Sequence, residues 1–282
     1  MKRRKPITVQ AFSFLFLMVL ALSYCKSETV KEEEIVVPAN IEKPKRYIEY
    51  ERSDSDRTSR IYLTFDDGPY KTTPGLTALL KKKKIRANFF IVGSQIDYSK
   101  EYDSIFKTTL QYDSFKVYNH TYTHAVTKGR IHDYYKDPTP VWTDILNNKK
   151  FLPDYPFITR LPGKNTWRTP GKTTLADLET KKLIDLLDST NNSEQIIGWD
   201  VEWNSKTNRS IDEVTTLINK VERTLEKRNE TNKDVVILLH DYLFKTQAEL
   251  NLLETFIDHF SNRSDIKFDW AHNLPGVGKL QQ

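Results

Sequence analysis

Residues 61–69 read Ile-Tyr-Leu-Thr-Phe-Asp-Asp-Gly-Pro. Ile61–Phe65 is a short apolar run that stops at two adjacent acids and a Gly-Pro turn, the pattern of a buried strand with polar groups at its end. The same texture recurs from about residue 59 onward. Apolar runs at 61–65, 87–92, 115–118, 157–161, 195–199 and 235–239 alternate with amphipathic helical stretches near 73–84, 141–151, 173–187, 210–228 and 247–262. Ser210 and Glu213 have capping-box spacing at the head of the fourth helix. Strands alternating with helices predict an α/β fold of parallel βαβ units, closed or partly closed into a barrel.

In parallel α/β folds, sites gather at the carboxyl edge of the sheet. Following each run to its C-terminal end collects a consistent set. Asp66-Asp67 follows the first run, and His120-Thr-Tyr-Thr-His124 follows the third. Arg160-Leu-Pro162-Gly163 ends the fourth, Asp200-Val-Glu202-Trp203 follows the fifth, and His240-Asp241 follows the last. Five strand ends carry acids, imidazoles or a guanidinium, in a chain with only six histidines.

Two imidazoles and one carboxylate with an open position are a common catalytic set for zinc or a similar divalent ion. His120 and His124 supply the imidazoles, and one of the adjacent aspartates supplies the carboxylate. Consecutive strand residues point to opposite sides, but the Gly68-Pro69 turn can bend the end so that both carboxylates reach the site. The free carboxylate then acts as base toward a water activated by the metal, and His240 is the leading candidate for the acid. This is the chemistry of amide or ester hydrolysis. A zincin would instead place His-Glu-x-x-His on a helix, whereas here Thr121 follows His120 at the end of a strand.

At these residues the chain resembles the polysaccharide deacetylases, the carbohydrate esterase family with the NodB-homology domain. Thr64-Phe-Asp66-Asp67-Gly-Pro69 matches that family's first motif, His120-Thr-Tyr-Thr-His124 its second and Arg160-Leu-Pro162 its third. Asp200-Val-Glu202-Trp203 resembles the fourth and Leu238-Leu-His240 the fifth. The segment RANFFIVGSQ at 86–95 is similar to the stretch between the first two motifs, and the resemblance covers roughly residues 59–275. It implies a distorted (β/α) barrel of seven or eight parallel strands. It also implies roles: Asp66 as general base, Asp67, His120 and His124 as metal ligands, Arg160 as the residue orienting Asp66, and His240 as general acid. The backbone N–H of Tyr70 joins the metal in stabilising the oxyanion, and Leu238 helps line the pocket for the acetyl methyl group.

Two departures from the family pattern bear on substrate shape. The fourth motif usually reads Asp-x-x-Asp-Trp, its second acid tuning the catalytic histidine. Here the spacing is compressed, so either Asp200 or Glu202 fits that role, with Trp203 beside it as a groove wall. After Arg160-Leu-Pro162 the usual aromatic is Gly163, and Trp167 is the candidate replacement. Pro162, Trp167, Asp200, Glu202, Trp203 and Leu238 are therefore the expected substrate-binding set. Trp199 is assigned to core packing, Asn119 and Thr121 to shaping the histidine loop, and His132, His259 and His272 to surface or structural roles.

Residues 1–25 form a leader. Lys2-Arg3-Arg4-Lys5 is a basic n-region, Phe12 to Leu22 a short apolar stretch, and Leu22-Ser-Tyr-Cys25 resembles a bacterial lipobox. The expectation is an exported protein, held at the membrane by a lipid on Cys25 or lying in the periplasm or cell envelope. Cys25 is the sole cysteine, which excludes an intramolecular disulfide. Residues 26–58 are charged and read as a tether, and the catalytic domain is expected over 59–282. The formal charge of +5, less the four basic residues of the leader, leaves +1, which gives no argument for a nucleic-acid partner. The Lys81–Lys84 run reads as a solvated helix end.

The sequence thus points to a metal-dependent deacetylase of an N-acetylated glycan, such as peptidoglycan, a chitin-like oligomer or a surface polysaccharide, acting as a monomer. Zinc is the expected metal, and cobalt, nickel and manganese suit the same ligands. Two other classes stand beside this reading. One is a non-catalytic glycan-binding lipoprotein on the same fold, the other a hydrolase of a non-glycan amide.

Overall fold

A computed structural model of the chain describes residues 47–49, 58–125, 131–152, 157–203, 214–227 and 234–280. The leader with Cys25, most of the tether and the Ser210 capping box lie outside these residues. The order begins with β1 (Tyr47–Glu49), β2 (Ser59–Asp66), α1 (Thr73–Lys82), β3 (Ala87–Ile91), α2 (Gly93–Ile96), α3 (Lys100–Leu110) and β4 (Phe115–Asn119). It continues with α4 (Ile131–Tyr134), α5 (Pro138–Asn148), β5 (Ile158–Thr159), β6 (Trp167–Thr169), β7 (Lys172–Thr174) and α6 (Leu178–Ser189). Then follow β8 (Gln195–Ile196), β9 (Val201–Glu202), α7 (Val214–Lys227), β10 (Asp234–His240), α8 (Gln247–Ser261), β11 (Ile266–Phe268) and β12 (Gly278–Leu280). No helix of the described residues is long and apolar enough to cross a membrane.

The main sheet has the strand order β7-β6-β8-β5-β4-β3-β2-β10-β9, and β11 pairs with the start of β2. Every ladder from β8 to β9 along this path is parallel, which makes the seven-stranded parallel core expected of a distorted (β/α) barrel. β6 and β7 add antiparallel pairs beyond β8. The sheet curls. Arg160 follows β5 and Asp66 ends β2, three strand steps apart, which on a flat sheet would separate them by roughly 14 Å at about 4.8 Å per step. Yet Arg160 Nη1 reaches Asp66 Oδ1 at 2.9 Å.

Period-two alternation explains both the curl and the site. Ile61, Leu63 and Phe65 of β2 face outward into a buried cluster with Leu76 and Leu80 of α1 and Leu253, Phe256 and Phe260 of α8. Each such side chain contributes roughly 1.5–3 kcal/mol by leaving water. The alternate residues Tyr62, Phe90, Tyr118, Ile158 and Val236 face inward and form a second cluster inside the curl. Two residues further along each strand, the inward row becomes polar: Thr64 and Asp66, His120, Arg160, and Leu238 with His240.

Several boundaries differ from the sequence expectation. The helix expected over 173–187 begins at Leu178, where Asp177 and Thr180 form a capping box, and Lys172–Thr174 is an edge strand instead. The run 195–199 is a strand only at Gln195–Ile196. The chain bends at Gly198, where a Cβ would collide with Asn165 Oδ1, and pairs again as β9 on the opposite end of the sheet. Helix α3 was not expected, because its sequence is polar and it buries only Phe106 and Thr109; Ser99 caps it by accepting from the Tyr102 N–H. Tyr47–Glu49, inside the stretch expected to be tether, pairs antiparallel with β12. Lys81 and Lys82 end α1 as expected, while Lys83 pairs with Glu254 and Asp258 of α8.

Candidate active site

β2 delivers Asp66 to the inside of the curl, only 2% exposed, where Arg160 holds its Oδ1. The next residue escapes the strand's alternation by its own backbone. Asp67 has φ 72, a left-handed conformation that an aspartate tolerates better than most residues, and its carboxylate turns back toward the same site. The expectation that both acids converge is therefore realised through Asp67 itself, ahead of the Gly68-Pro69 turn.

Arg160 is fully buried and spends every nitrogen. Nη1 donates to Thr64 Oγ1 at 2.6 Å and to Asp66, Nη2 to the Gly198 carbonyl at 2.9 Å, and Nε to the Ile197 carbonyl at 3.4 Å. Burial lowers its pKa while the Asp66 charge and hydrogen bond oppose that shift. The guanidinium also lies 4.3 Å from the Phe90 ring centroid.

Past β4 the chain turns through left-handed conformations at Thr121, His124 and Ala125. The loop is tied down from below. Asn119 Oδ1 accepts from the Thr121 N–H at 2.8 Å, and Thr121 Oγ1 accepts from the His124 N–H at 3.1 Å, so these two residues shape the loop as expected. Asp144 of α5 accepts from the Thr123 N–H, the Thr123 hydroxyl and the Tyr134 hydroxyl.

This loop and the β2 end bring one ligand atom each from Asp67, His120 and His124 within 4.8 Å of one another. His124 Nε2 lies 2.8 Å, and His120 Nε2 3.2 Å, from Asp67 Oδ1. His120 Nδ1 is 2.8 Å from the Arg160 carbonyl oxygen, which can only accept, so Nδ1 carries the hydrogen. In neutral His120, Nε2 is then a bare lone pair facing a carboxylate oxygen that is buried and receives no hydrogen bond. Acceptor facing acceptor calls for a cation, and the donor set fits a divalent one. Burial by itself raises the Asp67 carboxyl pKa, but the hydrogen bonds and charges of His120 and His124 outweigh it and hold the group well below the usual carboxylate range.

His240 ends β10 with its side chain about one-fifth exposed, its Nε2 3.8 Å from Asp67 Oδ2. Leu238 lies two residues earlier on the same inward face and is 3% exposed. Glu202 is registered with Leu238 on the neighbouring strand, which puts it on the face that His240 occupies. Asp200 is engaged elsewhere: its Oδ2 accepts from the Val236 N–H at 2.8 Å and its Oδ1 stands 4.0 Å from the Lys172 ammonium.

Four expected site residues are placed differently. Trp203 has no exposed surface and packs on Phe244 and Phe256 in the outer core, so it offers no wall to a substrate. Trp167 is 6% exposed, with the Lys172 ammonium 3.3 Å over its ring, which leaves no open aromatic face. Pro162 is buried and its carbonyl accepts from the Tyr135 hydroxyl, a role in shaping the loop after Arg160. The Tyr70 N–H donates to Thr73 Oγ1 at 2.8 Å, so it meets an oxyanion only by sharing or exchanging that acceptor. Conversely, Trp199, assigned to the core, is only half buried and lines a cleft with Asn165, Asp200 and Glu202. Asp144, Thr73 and Asp241 escaped the sequence reading, because nothing in their local spacing marks them. His272 and His259 are structural, paired with the Tyr118 hydroxyl and Glu222; the side chain of His132 lies outside the described residues.

Comparison with known proteins agrees with this geometry. Residues 53–171 match a family model described as polysaccharide deacetylase. A chitooligosaccharide deacetylase of Azorhizobium caulinodans is 40% identical over 73 residues, 26% of this chain and 33% of that protein. A peptidoglycan-N-acetylglucosamine deacetylase of Bacillus cereus is 27% identical over 168 residues, 56% of this chain and 59% of that protein. The chain thus spans less than two-thirds of the length of either relative. The catalytic domain of a peptidoglycan N-acetylglucosamine deacetylase from Eubacterium rectale superposes with a TM-score of 0.57 at 19% identity, covering 84% of this chain and 98% of that one. Through residues 53–171 the chain is related to the polysaccharide deacetylases, and its fold is the curled (β/α) barrel of that solved domain.

Proposed function

We propose that the chain hydrolyses the N-acetyl group of an N-acetylglucosamine-containing polysaccharide, releasing acetate and leaving a free amine. The observation that carries this reading is the convergence of an Arg160-held Asp66, the Asp67–His120–His124 triad and His240 at one edge of the sheet. A divalent cation on Asp67, His120 and His124 supplies Lewis acidity there, lowering the pKa of a water toward about 7 and polarising the amide carbonyl. Zinc is our choice among the ions that such ligands accept.

The remaining work falls to the chain's own groups. With Oδ1 fixed by Arg160, Asp66 turns Oδ2 toward the triad, 3.7 Å from His120 Nε2, and takes the proton of the attacking water. The water oxygen bonds to the acetyl carbon, the Tyr70 N–H faces the developing oxyanion, and Leu238 borders the methyl group. As the carbon–nitrogen bond breaks, His240 gives a proton to the departing amine. Glu202, on the same face as His240, is the acid we assign to tuning it, and Trp199 with Asn165 forms the wall along which a sugar ring lies. From the leader alone, we place the protein outside the cytoplasm, tethered by a lipid on Cys25.

The test is acetate release by the protein from residue 26 onward with added zinc or cobalt. N-acetylglucosamine oligomers and peptidoglycan serve as substrates, with Asp66→Asn as control. Release that vanishes in the control supports the reading. Metal binding without release from either substrate turns it toward another amide or a binding role.

A further inference from the structure

Behind the active-site loop, three groups form a hydrogen-bonded chain to which the chemistry above gives no task. Asp241, the residue after His240, has no exposed surface. Its Oδ2 accepts from the Thr73 hydroxyl at 2.5 Å, while its Oδ1 is buried with no hydrogen-bond partner among the described residues. Thr73 Oγ1 in turn accepts from the Tyr70 N–H at 2.8 Å, and the Thr73 N–H donates back to the Tyr70 carbonyl at 3.0 Å. The carboxylate of Asp241 lies against Gly68, where any Cβ would collide with it. A carboxylate from the end of β10 therefore grips the loop of residues 66–70 through one hydroxyl and one glycine.

The direction of these bonds matters. A hydroxyl has one hydrogen and accepts through its lone pairs. Because Asp241 takes the hydrogen, Thr73 Oγ1 must present a lone pair to the Tyr70 amide. Helix capping does not explain the arrangement, since the N-cap of α1 is Thr72 and its side chain makes no capping bond. Leaving a buried carboxylate oxygen without a donor is also costly, a feature that calls for a role.

We propose that Asp241 and Thr73 are positioning residues for the Tyr70 amide, with Thr73 Oγ1 as the acceptor that holds the N–H in the ground state and Asp241 as the group that fixes the hydroxyl's direction. The inference rests on the deacetylase reading, in which that N–H meets the oxyanion. An oxyanion is a stronger acceptor than a neutral hydroxyl, so the N–H exchanges toward it as charge develops. Thr73 cannot follow, because Asp241 holds it. The donor is thus oriented before the reaction and released only by developing charge.

The experiment pairs kinetics with amide exchange. We measure kcat and KM for acetate release from N-acetylglucosamine oligomers, and hydrogen exchange at the Tyr70 amide by NMR on the metal-free protein. The variants are Thr73→Val, Thr73→Ser and Asp241→Asn. The expected result is a loss of about tenfold in kcat for Thr73→Val at nearly unchanged KM, below the 10²–10³ of deleting an oxyanion donor outright. Thr73→Ser, which keeps the hydroxyl, recovers most of that rate, and Asp241→Asn falls between. Tyr70 amide exchange quickens about tenfold or more in Thr73→Val and less in Asp241→Asn. A folded Thr73→Val with wild-type kcat overturns the proposal, as does a Tyr70 amide that exchanges at the wild-type rate in both Thr73→Val and Asp241→Asn. If the wild type releases no acetate, the deacetylase reading fails, and amide exchange alone decides whether the chain of bonds holds Tyr70. If Thr73→Val does not fold, the same two measurements on Asp241→Asn decide.

Discussion

His120 Nδ1 lies 2.8 Å from the carbonyl oxygen of Arg160, so the residue that fixes the base also fixes the tautomer of a ligand. One side chain thus sets two elements of the site. The bare Nε2 faces Asp67 Oδ1 at 3.2 Å, an arrangement that gains from a cation between them. Adding zinc to metal-stripped protein at about 1,000 times its Kd should stabilise the fold by about 4 kcal/mol. For a domain of this size that corresponds to a rise in Tm of roughly 8–16 °C. Asp67→Asn should lose most of the rise. Thermal unfolding with and without metal checks it, and an equal shift in Asp67→Asn would place the metal elsewhere.

Asp144 should matter to metal affinity although it is not a ligand. It accepts three hydrogen bonds from the Thr123 N–H, the Thr123 hydroxyl and the Tyr134 hydroxyl, beneath a loop that takes three left-handed residues. Such conformations cost of order 1–3 kcal/mol each and persist only where the surroundings enforce them. Asp144→Ala should weaken zinc binding about 10–100-fold, the usual penalty for losing support behind a ligand. Calorimetric titration with zinc reads this directly, and an unchanged Kd in a folded variant would show that the loop holds itself.

What could be read from the chain, and what could not, divides by distance along it. β2 and β10 are long, fully apolar on both faces and end in acids or histidine, so their boundaries and their chemistry were legible together. The ligand set was legible because Asp67 follows a turn signal and His120 and His124 share one loop. β5, β8 and β9 are two residues each, too short for periodicity to bound, and their apolar runs overstated them. The tryptophans were misassigned for a related reason. Whether Trp199 or Trp203 faces the cleft depends on the bend at Gly198, a close approach to Asn165 that local sequence does not encode. Asp144, Thr73 and Asp241 act through partners 10 to 168 positions away, contacts that exist only once the sheet has curled.

Asp241 gives the fold a pH dependence of defined sign. Burial pushes its carboxyl up to about 7 from an ordinary 3.8, the charges of Asp67 and Asp66 add to that, and the Thr73 hydrogen bond opposes it. Between about pH 4 and 7 the folded state keeps a proton that the unfolded chain has released, so this group's contribution falls as pH rises. A carboxyl raised that far is worth roughly 4 kcal/mol at most across this window. Asp241→Asn does not titrate. Its stability relative to wild type, measured by urea unfolding of metal-free protein, should therefore grow by up to that amount from pH 4.5 to 8. A difference that stays flat across this range would mean that Asp241 is ionised throughout.

The last expectation separates two tryptophans four residues apart. Trp203 is fully buried between Phe244 and Phe256, so Trp203→Ala opens a cavity in the outer core. Such truncations cost about 3–5 kcal/mol, and the variant should unfold at clearly lower urea while any folded fraction keeps its KM. Trp199 is half buried and sits where the chain crosses from one end of the sheet to the other, its ring centroid 6.0 Å from the Arg160 guanidinium. Indole faces suit the apolar faces of sugar rings. Trp199→Ala should raise KM for N-acetylglucosamine oligomers severalfold, and more for longer oligomers than for short ones, with a stability loss well below that of Trp203→Ala. Matching KM values across oligomer lengths in Trp199→Ala would remove Trp199 from the substrate path. A stability loss as large as that of Trp203→Ala would return it to the core.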